Sequence, residues 1–294
     1  MKKKANAIPE GSAAPLNRKK NNASSLARSN EQDLMRGEHV FGSDTLAETI
    51  QSGTSIFDPV LCELLYRWFC PAGGSILDPF AGGSVRGIVA AQLGFFYTGI
   101  DLSNRQLAAN AEQASTICDI IKPRWIVGDS KNVFTLAPGA YDFVFSCPPY
   151  GDLEVYSEDA ADLSTMAHAD FLAAYRSIVS ACVAMLKPNR FACFVVGDFR
   201  DDKGFYRNFV SDTITAFQDA GTVLYNEAII VTAVGSLPIR AGRQFQAGRK
   251  LGKTHQNVLV FYNGDTKAIR QEFGDVDFGN IEKSGHHDQE ETNG

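Results

Sequence analysis

The sequence predicts an α/β fold: a doubly wound, mostly parallel sheet with helices on both faces and an antiparallel strand pair at one edge. Three observations carry this. Short apolar runs alternate with helix-length segments from residue 58 onward. Each of the first five apolar runs stops at polar or turn-forming residues, and in open α/β sheets that edge is where ligands bind. The last two β-rich runs, 223–234 and 256–262, have no helix signal between them, so they pair antiparallel.

Residues 58–69 (DPVLCELLYRWF) open on Asp58, a good cap, and Pro59, which suits a first helical position. Val60, Leu64 and Trp68 fall on one helical face, with Leu61 and Leu65 beside it. The run from Ser75 to Phe80 is a strand end stopped by Pro and Gly, and 84–93 is a helix closed by Gly94. Phe95 to Ile100 is a second strand, 103–117 a helix, Trp125 to Val127 a third strand, and Tyr141 to Ser146 a fourth. A long helix over 168–186, a fifth strand from Phe191 to Val196 and a helix over 205–220 complete the alternation.

With 294 residues, 44% hydrophobic and 21% charged, the chain can bury a full core without staples. No run of about 18 apolar residues suggests a membrane span. MKKK at the start is not followed by an apolar segment, so no secretory signal is expected. The six cysteines form no CxxC pair and most sit in apolar runs, which reads as reduced thiols in a cytoplasmic protein with no metal site. The net charge of −6 hides an asymmetry: residues 1–28 carry seven Lys/Arg against Glu10, and 272–294 carry seven acids against Lys283. The expected organisation is a disordered basic tail (1–38), one domain (39–265) with a basic loop insertion at 235–255, and a disordered acidic tail (266–294). The basic tail reads equally as a solvated arm or a non-specific nucleic-acid arm.

Two strand ends carry chemistry. Asp78-Pro-Phe-Ala-Gly82-Gly83-Ser84 joins a strand to a helix, where small residues let a ligand approach backbone. Asp101 and Asp129 end the next two strands and suit a ribose and an adenine amine; three acids at successive strand ends are costly to bury without partners. A nicotinamide dinucleotide would want related features, but the turn lacks GxGxxG. The second site is Cys147-Pro148-Pro149-Tyr150, a stiff turn with a carbonyl acceptor and an aromatic ring able to grip a planar group bearing an exocyclic amine.

Together these segments resemble motifs I and IV of the amino-group DNA methyltransferases, over roughly residues 52–262, and the chain is similar to the phage and mobile-element members of that family, some of which belong to restriction-modification systems. The resemblance implies a Rossmann-like seven-stranded methyltransferase sheet. It implies S-adenosylmethionine as cofactor, DNA as partner, and methyl transfer to N6 of adenine or N4 of cytosine on a flipped base. It assigns cofactor contacts to Ser55, Phe57, Asp78, Phe80, Ala81, Gly82, Asp101 and Asp129, and catalysis to Cys147, Pro148, Pro149 and Tyr150. One departure stands out. The first tetrapeptide position is usually Asp, Asn or Ser, and a thiol is the weaker acceptor; Asp152 is the alternative polar group. Cys147 also raises cytosine-C5 methylation, which however uses a Pro-Cys order.

From Ser236 to Tyr262 there is no acid, and Arg240, Arg243, Arg249, Lys250 and Lys253 cluster there with interleaved glycines. This suits a clamp on a nucleic-acid backbone, with Phe245 or Leu237 as a wedge. The segment Asp198 to Gly204 is a second candidate for substrate contact. RNA or protein-amide methylation, and a catalytically silent cofactor- and DNA-binding regulator, remain alternatives, and the target base and oligomeric state stay open.

Overall fold

The computed structural model describes residues 57–151, 161–231 and 237–276. The expected basic tail, Ser55, Asp152 and most of the acidic tail lie outside them.

Asp58 caps the first helix: its side chain accepts from the Val60 and Leu61 amides, and α1 runs Pro59–Phe69. The face it buries differs from the expected one. Cys62, Leu65 and Tyr66 enter the core, whereas Val60, Leu64 and Trp68 stay exposed. Tyr66 sets this rotation. Its hydroxyl donates to the Arg86 carbonyl, and its ring meets Phe95, Phe143 and Phe145. A large ring with a satisfied hydroxyl outweighs a stripe of three apolar residues.

Beyond α1 the elements are β1 (Ser75–Asp78), α2 (Val85–Gln92), β2 (Phe96–Asp101), α3 (Asn104–Ile117), β3 (Arg124–Val127), the short α4 (Val133–Leu136) and β4 (Tyr141–Ser146). Then come α5 (His168–Ala184), β5 (Leu186–Val196), α6 (Phe209–Asp219), β6 (Val223–Val231), α7 (Leu237–Gly248), β7 (His255–Asn263) and α8 (Ile269–Phe273). The strands form one sheet in the order β3-β2-β1-β4-β5-β7-β6. β1 to β5 run parallel, and β7 is antiparallel to both of its neighbours; the antiparallel edge pair is as expected, although a helix, α7, lies between its two strands.

Two cores sit on the two faces, and side-chain alternation along the strands divides residues between them. Leu77, Val144, Phe194 and Phe261 pack with Phe171, Tyr175 and Phe217 of α5 and α6. Ile76, Phe143, Phe145, Cys193 and Val260 pack with Cys62, Leu65 and Tyr66 of α1. Strands buried on both faces read as the near-continuous apolar runs seen in the sequence.

Four boundaries depart from expectation; one is the start of the expected disordered acidic tail, where Thr266–Phe273 forms a 3-10 turn and α8, with Phe273 packed on Phe191. The segment expected to be a loop over 235–255 contains α7, closed by Arg249 at φ 53° with its amide on the Phe245 carbonyl. α6 begins at Phe209 because Arg200 and Tyr206 form an antiparallel bridge and Asn208 turns the chain at φ 64°. β5 begins at Leu186, five residues early, with its Pro188-Asn189 bend included in the strand.

At the amino end of β4, Asp142 gathers the Ser75 amide and hydroxyl, Lys187 and Arg190, and Arg190 also holds Glu272 of α8. Burial pushes the Asp142 carboxyl up, but these donors outweigh it and bring it down to about 2. This cluster ties β1, β4, β5 and α8 together at the end of the sheet away from the motifs.

Candidate functional site

Topology explains why the sequence motifs meet. β1 and β4 are neighbours and parallel, so their carboxyl ends lie side by side. Asp78 closes β1, and Cys147-Pro-Pro-Tyr leaves β4. Because β7 runs the other way, it starts at the same edge: Asn257 pairs with Val196 at the end of β5. β6 ends there too, with Val231 opposite His255. The 232–254 connection therefore leaves and returns beside the site.

Asp78 does not face the cofactor space expected for it. Its carboxylate is fully buried and accepts from four donors: the Phe80 amide and Ser146 hydroxyl on Oδ1, and Arg86 Nε (2.6 Å) and the Tyr97 hydroxyl (2.7 Å) on Oδ2. A carboxylate has about four lone-pair sites, so this one is committed to the fold. Arg86 also donates to the Phe80 and Ala81 carbonyls and lies over the Phe57 ring, 4.8 Å from its centroid. Burial alone would push the guanidinium down; Asp78 reverses this, and its net shift is upward. The hub fixes the backbone of residues 78–82. Phe80 is likewise drawn into packing, stacked 6.2 Å from Tyr175 and edge-on to Phe194. Phe57 packs edge-on to Phe145, and Ala81 is buried.

Gly82 and Gly83 are different. Gly82 has φ +50°, and a Cβ placed on either glycine would meet nothing within 4 Å, so open space lies over this turn. Asp101 borders it. Its Oδ2 accepts from the Gly82 amide (2.9 Å) and its Oδ1 from the Ser103 amide (2.8 Å), one bond on each oxygen. Burial raises its pKa against the pull of those amides. Lone pairs thus remain on both oxygens for a diol. Asp129 caps the turn over Ser130–Asn132 through the Lys131 amide and pairs with Lys131 Nζ at 3.1 Å. It stands at the β3 end as expected, partly engaged. Sequence reading missed two supports of this turn: Asn110 donates to the Gly82 carbonyl (2.8 Å), and Gln113 meets the Ser84 hydroxyl, both from α3. Their spacing of three places them on one helical face, the available signal.

In the tetrapeptide, Cys147 and Pro149 are half-buried and Pro148 is buried. Tyr150, expected as an open stacking face, is only 6% exposed. Its ring packs edge-on with Phe199 and Phe209, and its hydroxyl accepts from Gln256 Nε2 at 2.6 Å. The apolar surfaces contributed by the β5–α6 connection and by α6 account for this burial.

The two segments expected to meet substrate lie together. Lys250 reaches the β5–α6 connection: a Cβ on Gly204 would sit 2.7 Å from its Nζ. Burial pushes the Lys253 ammonium down, against the attraction of Asp198. Arg200 stacks over Tyr206 at 3.9 Å and Arg249 over Phe245 at 5.1 Å. Arg240 and Arg243 lie within α7, and Arg243 is exposed. Among the described residues no cluster of three or more His, Cys, Asp or Glu could hold a metal, and no helix is long and apolar enough to cross a membrane.

No protein-family model matches the sequence, and no curated protein does so. Solved structures are similar in fold. TrmN from Thermus thermophilus has 14% identity and a TM-score of 0.47, over 81% of this chain and 78% of that one. A methyltransferase from Pyrococcus furiosus has 14% identity and 0.45, over 72% and 85%. Magnesium protoporphyrin IX methyltransferase (ChlM) from Synechocystis PCC 6803, with bound SAH, has 11% identity and 0.47, over 82% and 95%. These likenesses are distant, and the fold class rests on the strand order. The sheet is a seven-stranded, doubly wound Rossmann-like sheet with an antiparallel edge pair.

Proposed function

We propose that this protein is an S-adenosylmethionine-dependent methyltransferase that modifies the exocyclic amine of a base in DNA, adenine N6 or cytosine N4. The supporting observation is the adjacency of β1 and β4, which sets the glycine turn and the Cys147-Pro-Pro-Tyr turn side by side at one sheet edge. The open space over Gly82 and Gly83 and the lone pairs left on Asp101 fit a nucleoside cofactor there. The cofactor supplies an electrophilic methyl group. Asp101 holds the ribose hydroxyls, and the glycine turn lets the methionine portion approach backbone. Phe57, just before the cap of α1, packs against Arg86; with Asp78, Phe80 and Ala81 it supports the site by fixing the turn.

S-adenosylmethionine held there would supply its methyl group to the amine, with the sulfur–methyl bond broken, S-adenosylhomocysteine as leaving group and one amine proton passing to solvent. The Pro148 carbonyl accepts a hydrogen bond from the amine and directs its lone pair. Tyr150 is a fixed wall for the base, held by Phe199 and Phe209. Alignment of amine and methyl supplies most of the acceleration, assisted by preorganised dipoles. Cys147, a weak acceptor, adds little polar help. The acid-free segment carrying Arg240, Arg243, Arg249, Lys250 and Lys253 suits contact with a phosphate backbone beside the site.

The test is transfer of a labelled methyl group to unmodified DNA, with RNA in parallel, followed by digestion and identification of the labelled nucleoside by mass. N6-methyladenine or N4-methylcytosine from DNA is the expected product. Label in RNA alone would move the substrate, and no label with cofactor binding intact would favour a silent regulator.

A further inference from the structure

We infer that Gln256 is a positioning residue for methyl transfer, acting through the Tyr150 hydroxyl; this rests on the functional reading above. The reversal of β7 makes the contact available. Every parallel strand ends at the site edge, so only a strand running the other way can deliver its first residues there. Gln256 is the second residue of β7 and is fixed by the ladder, opposite Ile230 of β6. Its amide nitrogen donates to the Tyr150 oxygen at 2.6 Å, across 106 positions of sequence. Gly197, at the end of β5, completes the junction. A Cβ there would lie 3.6 Å from the Tyr150 hydroxyl and 3.8 Å from Gln256 Cγ, so the backbone packs against both.

The chemistry of the pair is directional. Phe199 and Phe209 meet the Tyr150 ring edge-on and fix its plane. Edge-on ring contacts restrain a ring only weakly along its long axis, because dispersion is weakly directional. The hydrogen bond at the para oxygen adds a directional restraint along that axis. Pro148 lies two residues from Tyr150 in a turn stiffened by two prolines, so a shift of Tyr150 is passed to the accepting carbonyl. A misplacement of about 1 Å is enough to cost on the order of 100-fold in rate. Arg249, Lys250 and Lys253 lie in the segment that leads directly into β7, so the strand that holds Tyr150 continues from three of the candidate phosphate contacts.

The test compares Gln256→Leu, Tyr150→Phe and the double variant in the full-length chain. Cofactor affinity and melting temperature of both single variants are expected within about twofold and a few degrees of wild type, with kcat on DNA falling about tenfold in each. The double variant is expected to be no slower than Tyr150→Phe, because each change removes the same bond. An additive loss near 100-fold, or unchanged kcat in Gln256→Leu, would overturn the inference. A purely structural role would lower stability in step with kcat and overturn the inference; Gln256→Asn, too short to reach the hydroxyl, is expected to be as slow as Gln256→Leu while melting near wild type. A second readout needs no turnover: in protein labelled at tyrosine Cζ, the resonance lost in Tyr150→Phe must move in Gln256→Leu. An unmoved resonance refutes the contact even if methyl transfer is confirmed. A moved resonance in a wild-type protein that methylates nothing keeps the contact and removes its catalytic role together with the functional reading.

Discussion

Replacing Arg86 with methionine tests the hub under the glycine turn. The guanidinium is 6% exposed and Asp78 fully buried, so the change strands a carboxylate with no cation beside it. Two carbonyls, Phe80 and Ala81, lose a donor as well. Breaking a buried pair from one side costs about 3–5 kcal/mol. For a domain of this size each kcal/mol moves the melting temperature by about 2–4 °C, so a drop of roughly 6–20 °C is expected. Tyr97, Ser146 and the Phe80 amide still bond Asp78 and favour the lower part of that range. Adding Asp78→Asn should recover part of the loss, because a neutral amide tolerates burial better than a lone anion. Thermal or urea unfolding of the two single variants and the double reads this directly. A shift below about 2 °C for Arg86→Met, or a double variant as unstable as the sum of the singles, would refute the argument.

Asp101→Asn should weaken S-adenosylmethionine binding at least about tenfold by calorimetric titration, since one oxygen that would receive a hydroxyl becomes a donor; unchanged affinity removes Asp101 from the site. Asp142 has a folded-state value of about 2 against the ordinary 3.8. Its stabilisation, about 2 kcal/mol at most, is therefore present above about pH 4 and lost as pH falls through 2. Urea unfolding from pH 5 to 2 should show this loss in wild type and not in Asp142→Asn. Gly99→Ala should be severe, because its Cβ would lie 2.7 Å from the Tyr97 ring and 2.8 Å from the Ala81 side chain; near-native melting would show that this junction yields. Neutralising Arg249, Lys250 and Lys253 together should weaken DNA binding alike on all sequences and flatten its salt dependence by up to about three, and an unchanged slope would clear the segment of phosphate contact.

Much of this was legible in the sequence, for local reasons. Asp58-Pro59 marks a helix start, and the runs SILD, YDFVFS and FACFVV are strands buried on both faces, whose apolar continuity needs no tertiary information. The antiparallel pair at the edge was expected from a missing helix signal, although α7 lies between its strands. That helix was hidden by Pro238, Gly242 and Gly248, whose poor propensity reads as loop. The rotation of α1 was hidden because Tyr66 acts through residues 77 and 79 positions away, Phe143 and Phe145. The same holds at the site. Strand ends located the acids, but local spacing cannot tell a carboxylate facing a ligand from one enclosed by Arg86, Tyr97 and Ser146. Nor does any pattern link Tyr150 to Gln256. What escapes the sequence is which groups meet across the sheet, and that decides whether a polar side chain is support or surface.

The four donors of Asp78 come from residues 80, 86, 97 and 146, and so they arrive in order during synthesis. A nascent chain that has emerged through β2 can assemble the helix, the turn and three of the bonds. The fourth waits for the last residue of β4, immediately before Cys147. A carboxylate short of a partner resists burial, so the turn that would hold the cofactor closes fully only when the strand bearing the second motif has docked. The Ser146 hydroxyl thus ties the glycine turn to the strand that leads directly into Cys147-Pro-Pro-Tyr, so neither half of the site reaches its final geometry without the other.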